Sequence, residues 1–116
     1  MVTPEIIQDM AQRIVEQFQP KEIILFGSCA RGEITPDSDV DFLVVMPVAG
    51  NRRALRVSIR RALFGFGVPK DVIVLTPDEF ERQKEIPGTI AYPAYHEGSA
   101  HARSAPRSTK MRHRPP

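Results

Sequence analysis

Apolar residues recur three or four positions apart in two long stretches of the chain, which predicts two amphipathic helices. The first begins at Thr3-Pro4-Glu5, where Thr suits the N-cap and Pro the first helical position, and it ends before Pro20. The second runs from Arg52 to Phe66. Both patterns leave a polar face opposite the apolar one, so each helix should pack one face against a core.

Three mostly apolar runs, at 23–26, 40–46 and 72–75, predict strands over 21–27, 39–46 and 70–75. The middle run is apolar on both faces, which favours helices on both sides of a sheet. Shorter helices are predicted at 28–33, at 76–84 and at 89–97, the last shortened or kinked by an internal proline.

Carboxylates lie at the N-terminal ends of two of these predicted strands. Asp39 and Asp41 are two positions apart at the start of the second strand, so they point to one face, on the order of 6.6 Å apart. Asp71 opens the third strand. If the three meet, the second and third strands are parallel and the first is antiparallel to the second, because the first ends at the site. The expected fold is α/β (α+β), a three-stranded mixed sheet flanked by helices.

Gly27-Ser28 ends the first strand and supplies the other half of a site. Glycine lets the backbone approach a ligand, and a helix beginning at Ser28 would aim free N–H groups at an anion. Hard divalent cations such as Mg²⁺ prefer carboxylate ligands and usually hold substrate phosphates as well. Gly27-Ser28 together with Asp39 and Asp41 therefore indicates a metal-dependent nucleotide site.

Gly27-Ser28, ten residues and then Asp39-Val40-Asp41 resembles the signature of the DNA polymerase beta-like nucleotidyltransferase superfamily. The Gly-Ser-Cys-Ala-Arg-Gly context of residues 27–32 is similar to that of the minimal nucleotidyltransferases, or MNT proteins, over residues 1–98. The chain thereby resembles the antitoxin of HEPN–MNT toxin–antitoxin pairs.

The resemblance implies transfer of a nucleoside monophosphate, AMP from ATP, to a hydroxyl group. Asp39 and Asp41 would bridge two Mg²⁺ ions, and Asp71 would hold the ion nearest the incoming hydroxyl. Gly27 and Ser28 would cradle the terminal phosphates. The expected acceptor is a hydroxyl on a HEPN-type toxin, which would make the protein an antitoxin.

Two other functions compete with this interpretation. The protein could neutralise its partner by contact alone, with an unused nucleotide site. It could also add nucleotides to RNA 3′ ends, which would require the basic helix and tail to bind RNA, although nucleic acid is not the favoured partner.

Two sets of basic residues allow more than one role. Arg31 could contact phosphate or form a salt bridge with a neighbouring acid. Five arginines share the polar face of the second long helix, where they could bind a nucleotide, RNA or an acidic protein, or be only solvated. They are Arg52, Arg53, Arg56, Arg60 and Arg61.

Charge divides the chain into a domain at 1–98 and a basic tail at 99–116. The tail has five basic and no acidic residues, the domain has eleven basic and fourteen acidic residues, and −3 + 5 gives the net charge of +2. The tail has little apolar surface to bury and is predicted to be disordered. No apolar run reaches the roughly 18 residues of a membrane span. A single cysteine, Cys29, suits the cytoplasm and is interpreted as a small filler rather than a reactive thiol.

Overall fold

Residues 2–102 are described by this computed structural model, with side chains for residues 2–98. In chain order the elements are α1 (Pro4–Phe18), β1 (Glu22–Phe26), β2 (Val40–Val45), α2 (Arg52–Ala62), β3 (Lys70–Leu75), α3 (Pro77–Gln83), α4 (Ala91–Glu97) and β4 (Ser99–Ala102). In this part of the chain, no helix is both long enough and apolar enough to cross a bilayer.

The strands form one mixed sheet in the order β3-β2-β1-β4. β2 and β3 are parallel, and β1 is antiparallel to β2. These are the directions that the carboxylate positions predicted, with α2 as the crossover. The mixed α/β class and the predicted three-stranded mixed sheet flanked by helices are therefore confirmed.

β4 extends this sheet to four strands, and the sequence analysis missed it. Ser99–Ala102 pairs antiparallel with β1, with a register shift between Ile23 and Ile24. These four residues had been assigned to the disordered tail because their composition offers little to bury. An edge strand is held by main-chain hydrogen bonds, which make no demand for apolar side chains. The rest of the predicted tail, 103–116, lies outside the described residues.

Helices cover both faces of the sheet. Alternate strand residues such as Ile23, Phe42 and Val72 pack in the cluster that includes α1 and α2. The intervening residues, such as Ile24 and Leu43, pack in the cluster that includes Phe80 of α3 and Ala94 of α4. By the same alternation, residues 41 and 71 face the α3/α4 side, so their carboxylates lie at the border of the smaller cluster.

Glu79 joins α3 to α2 and is the basis of a stability prediction. Its carboxylate accepts from Arg52 Nη2 at 2.7 Å and from the Thr76 backbone N–H at 2.8 Å, closing a capping box. The Arg52 hydrogen bond, followed by the Thr76 backbone, lowers the pKa of Glu79 to about 2. Stability from a lowered carboxylate pKa is present above the ordinary value of 4.5 and is lost as the pH falls through the folded value.

Glu79→Gln should therefore lower the free energy of unfolding by about 1 kcal/mol at pH 7, a modest figure because the arginine side chain is 45% exposed. The difference from wild type should shrink between pH 4.5 and about 2, measured by chemical denaturation. Asp78→Asn, an exposed carboxylate in the same turn, is the control and should cost less than half as much. A difference that persisted unchanged at pH 2 would contradict the assignment.

Candidate active site

The C-terminal end of β1 and the N-terminal ends of β2 and β3 lie side by side at one end of the sheet, and they bring two carboxylates together. In the sheet register Asp41 lies opposite Asp71 of β3 on one side and opposite Phe26 of β1 on the other. Neighbouring strands are about 4.8 Å apart, and paired residues of parallel strands point to the same face. Asp41 therefore sits between Asp71 and the turn that begins at Gly27.

Asp39 lies one residue before β2, in an exposed position at the same edge. Its backbone carbonyl accepts a hydrogen bond from Cys29 Sγ at 3.3 Å, which ties the loop before β2 to the turn after β1. The negative charge of Asp39 is the smallest of three causes that raise the pKa of Asp41. The fold thus brings Asp39, Asp41 and Asp71 to one place, as predicted.

The negative charge of Asp41 is unfavourable where this side chain lies. Burial raises its pKa, and the negative charges of Asp71 and then Asp39 raise it further. A half-buried carboxylate beside two others is a costly arrangement in water and a favourable one around a cation. The donor set, carboxylate oxygens only, is the set that Mg²⁺ prefers, so these residues fit the expected metal in chemical type.

Among the described side chains, Arg56 is the one cation that forms a salt bridge with any of these three carboxylates, and its partner is Asp71. Its Nη2 lies 3.5 Å from Asp71 Oδ1, and both side chains are nearly half exposed. In this arrangement no three acidic, histidine or cysteine side chains of residues 2–98 are grouped so that they could hold a metal ion. Asp71 Oδ1 is the atom in contact with Arg56, and the ligand role of Asp39, Asp41 and Asp71 stays a prediction.

The segment after β1 is a single tight turn and not the short helix predicted for 28–33. The Gly32 N–H donates to the Cys29 carbonyl at 3.2 Å and the Glu33 N–H to the Ser28 carbonyl at 3.0 Å, the pattern that ends a helix. Gly32 has φ +80°, a left-handed conformation that stops helical propagation after one turn. The residue that ends the turn was visible in the sequence, but its φ was not.

Gly27 and the start of this turn lie where the sequence predicts a phosphate cradle. Gly27 has φ +77°, and a Cβ at this position would lie 2.5 Å from Asp41 Oδ2. Only glycine allows the backbone to come this close to the carboxylate. Within the described turns and loops, the backbone N–H groups of Ser28 and Cys29 donate to no backbone carbonyl, whereas the four that follow do. The N–H groups of Ser28 and Cys29 are therefore suited to bind an anion.

Two neighbours of the cradle have structural roles here. The Arg31 guanidinium contacts Glu33 Oε1 and Glu97 Oε1, each at 3.5 Å, which is the salt-bridge alternative for this residue. Cys29 is buried, and burial followed by the Asp41 and Asp39 charges raises the pKa of its thiol. A raised thiol pKa lowers the share of thiolate, the nucleophilic form, and Cys29 packs in the larger core cluster, which agrees with its interpretation as a small filler.

The sequence analysis did not single out Arg56. It stood among five arginines with equivalent helical spacing, and only the packing of α2 against the β3 edge decides which of them faces Asp71. Two of the five form salt bridges: Arg52 with Glu79 and Arg56 with Asp71.

Comparisons with known proteins agree with this geometry. Residues 7–94 match the family described as nucleotidyltransferase domain. The structure is similar to the crystal structure, at 1.40 Å resolution, of a candidate nucleotidyltransferase from Sulfolobus solfataricus, with a TM-score of 0.52 and 27% identity. That match covers 67% of this chain and 70% of the other. Among curated proteins, no sequence gives a significant match.

Proposed function

We propose a specific reaction for this chain, which belongs to the family of nucleotidyltransferase domains. In this reaction AMP moves from ATP to a hydroxyl group on a protein partner of the HEPN toxin type, with Mg²⁺ as the cofactor. The modified partner is inactive, and the protein acts as its antitoxin in the cytoplasm.

One observation supports the chemistry above all others: three carboxylates and the turn that begins at Gly27 lie at the same end of the sheet. Asp41 lies in register with Asp71, and the Gly27 backbone is so close to Asp41 that a Cβ at position 27 would lie 2.5 Å from Asp41 Oδ2. A triphosphate whose phosphates lie on the turn would therefore have its α-phosphate region beside the carboxylates. This arrangement suits nucleotidyl transfer, which depends mainly on positioning and charge stabilisation.

The residues divide the work in the following way. Asp39, Asp41 and Asp71 would hold the metal, and the raised pKa of Asp41 reflects the negative charge that a cation would offset. When bound, two Mg²⁺ ions supply Lewis acidity at the attacking and leaving oxygens. Ser28, with its hydroxyl and backbone N–H, binds the terminal phosphates. Arg56, beside Asp71, is placed to contact either the nucleotide or the acceptor.

The transfer itself requires no covalent intermediate with the protein. The acceptor oxygen attacks the α-phosphorus in line with the leaving group, and a new oxygen–phosphorus bond forms. The bond from the α-phosphorus to the bridging oxygen breaks, pyrophosphate leaves, and the hydroxyl proton passes to solvent. Asp71, whose side chain is 48% exposed, is placed to orient the incoming hydroxyl through the metal that it would hold.

The protein acceptor is supported by the resemblance of residues 27–32 and 39–41 to the MNT proteins. The joint presence of the phosphate turn and all three carboxylates favours an enzyme over a module that neutralises its partner only by contact. A protein that inhibited its partner only by contact would gain nothing from Asp41, a half-buried carboxylate whose pKa is raised by burial and by the charges of its neighbours.

A catalytic amount of protein, incubated with the HEPN-type partner, ATP and Mg²⁺, should raise the partner's intact mass by whole AMP units. Asp71→Asn should abolish most of this modification, because the acceptor hydroxyl loses the carboxylate that orients it, while ATP still binds. Asp9→Asn, an exposed carboxylate on α1, is the control and should modify the partner like wild type.

A contact inhibitor gives the opposite result in the same experiment. It would need stoichiometric protein, act without ATP and remain effective as Asp71→Asn. Replacing the partner by a short RNA tests the remaining alternative, and growth of the RNA 3′ end in preference to protein modification would contradict the proposal.

A further inference from the structure

The outward face of α2 carries a basic and apolar surface that the transfer reaction does not use. We call it the α2 patch. It consists of Arg53, Val57, Arg60, Arg61, Phe64 and Lys70. All but the lysine are exposed, and Phe64 is 85% exposed. Such exposure is unusual for a phenylalanine, and it marks the surface for contact with another molecule.

The charges of the α2 patch differ from those of its neighbours on the same helix. Arg52 and Arg56 pair with Glu79 and Asp71. In contrast, Arg53, Arg60 and Arg61 form no salt bridge within residues 2–98. The patch therefore presents unneutralised positive charge on a domain whose residues 1–98 sum to −3.

Grooves converge on the two apolar side chains of the patch. One, of about 510 Å³, is lined by Val57, Arg60, Arg61, Phe64 and Lys70. A second, of about 400 Å³, continues along α2 and shares Val57 and Arg61. A third, of about 460 Å³, is lined by residues between Phe64 and Lys70. Phe64 thus lines two grooves, which suits a contact of mixed apolar and ionic character.

We propose that the α2 patch docks an acidic, amphipathic segment of the protein that receives the nucleotide. Carboxylates of that segment pair with Arg53, Arg60 and Arg61, and its apolar side chains enter the grooves beside Phe64 and Val57. Arginine and aromatic side chains are the residues that most often dominate binding energy at protein interfaces. The role as an acceptor site rests on the proposed function, whereas the docking itself does not.

The position of the patch joins it to the catalytic edge. Arg60 lies one helical turn beyond Arg56, whose guanidinium contacts Asp71. Lys70, which lines the first groove, directly precedes Asp71 in β3, although the side chains of the two residues point to opposite faces of the sheet. A segment docked on the patch therefore has neighbouring residues within reach of the carboxylates.

Charge and shape argue against other occupants. The residues 103–116 of this chain carry only basic charges, so they are repelled by the patch. Single-stranded RNA needs successive aromatic platforms along a basic track, whereas the patch has one aromatic ring beside an aliphatic valine. The acidic remainder of the domain also opposes a long polyanion.

Fluorescence anisotropy with three labelled probes tests the proposal on the full-length protein. The first probe is a synthetic amphipathic peptide with glutamates on one helical face and leucines on the other, about 18 residues or roughly 27 Å long. The second is polyglutamate of equal length, and the third is oligoadenylate RNA. The peptide should bind more tightly than both others.

Arg61→Glu/Phe64→Ser should weaken peptide binding by about tenfold or more. Arg82→Glu/Ile86→Ser makes the same changes at an exposed arginine and a half-exposed isoleucine elsewhere, and it should bind like wild type. Asp39→Asn/Asp41→Asn, which removes transfer, should keep peptide binding, so a failure of docking is distinguished from a failure of the proposed reaction.

Several results would overturn the proposal. They are no binding of the peptide, equal or tighter binding of the RNA or of polyglutamate, and equal losses in the patch variant and its control. Association of the protein with itself through the patch, seen as a larger mass in light scattering that Arg61→Glu/Phe64→Ser abolishes, would identify a second copy as the occupant instead.

Discussion

Asp39→Asn/Asp41→Asn should reduce nucleotidyl transfer by about 10³-fold or more and should leave the metal-free protein at least as stable as wild type. The loss of transfer follows from removing two of the three proposed metal ligands. The stability should be unchanged or rise by up to about 1 kcal/mol, because burial and the neighbouring carboxylates raise the pKa of Asp41.

The sign of the stability change follows from the direction of that pKa shift. A carboxylate whose folded pKa is raised destabilises the folded state at neutral pH, and the cost is relieved as the pH falls. An amide of the same shape lacks the charge and therefore the cost. Chemical denaturation measures the difference in the free energy of unfolding between the variant and the wild type. A chelator is present because bound Mg²⁺ would stabilise only the wild type.

Asp37→Asn is the matched control for this pair. Asp37 is an exposed acid in the turn before β2, near the site in sequence. Its substitution should change neither transfer nor the free energy of unfolding appreciably. Transfer that survived in the double variant, or a loss of several kcal/mol in the chelated protein, would show that the two carboxylates have a structural and not a catalytic role.

Gly27→Ala should reduce transfer by about 100-fold and lower the free energy of unfolding by roughly 2–4 kcal/mol. Two effects add at this position. A side chain at φ +77° costs about 1–2 kcal/mol, and its Cβ would stand 2.5 Å from Asp41 Oδ2. The carboxylate must then move, which displaces both the phosphate turn and a proposed metal ligand.

Gly32→Ala separates the two effects. Gly32 has nearly the same φ, +80°, but nothing lies within 4 Å of where its Cβ would be. It should therefore show the backbone cost of about 1–2 kcal/mol and keep most of the activity. Transfer rates and denaturation curves of the two variants give the comparison. Equal losses of activity would mean that the close approach of Gly27 to Asp41 has no functional importance.

The sequence predicted the part of the site that depends on strand direction. Asp39, Asp41 and Asp71 could be placed together because period-two alternation and one parallel crossover leave few arrangements of three strands. The same reasoning could not find β4, since its pairing with β1 uses main-chain groups that every residue has. It also could not tell a single turn from a short helix at 28–33, because the left-handed φ of Gly32 is a property of the folded chain.

Side-chain partners were the least predictable feature. Five arginines share one helical face in the sequence, yet the structure divides them into two with salt bridges and three directed outward. That division depends on the orientation of α2 about its own axis where it packs against β3. Hydrophobic periodicity in the sequence predicts which face of the helix is buried, but not this orientation in detail. Arg31 shows the same limit: its two carboxylate partners, Glu33 and Glu97, include one that is distant in sequence.

The position of a radioactive label in ATP tests the central claim, nucleotidyl transfer, most directly. The HEPN-type partner is incubated with catalytic protein, Mg²⁺ and ATP labelled at either the α- or the γ-phosphate. The account predicts that the partner acquires the α label and none of the γ label, and that Asp71→Asn transfers little of either. Transfer of the γ label, or release of both labels to solvent with an unlabelled partner, would contradict it.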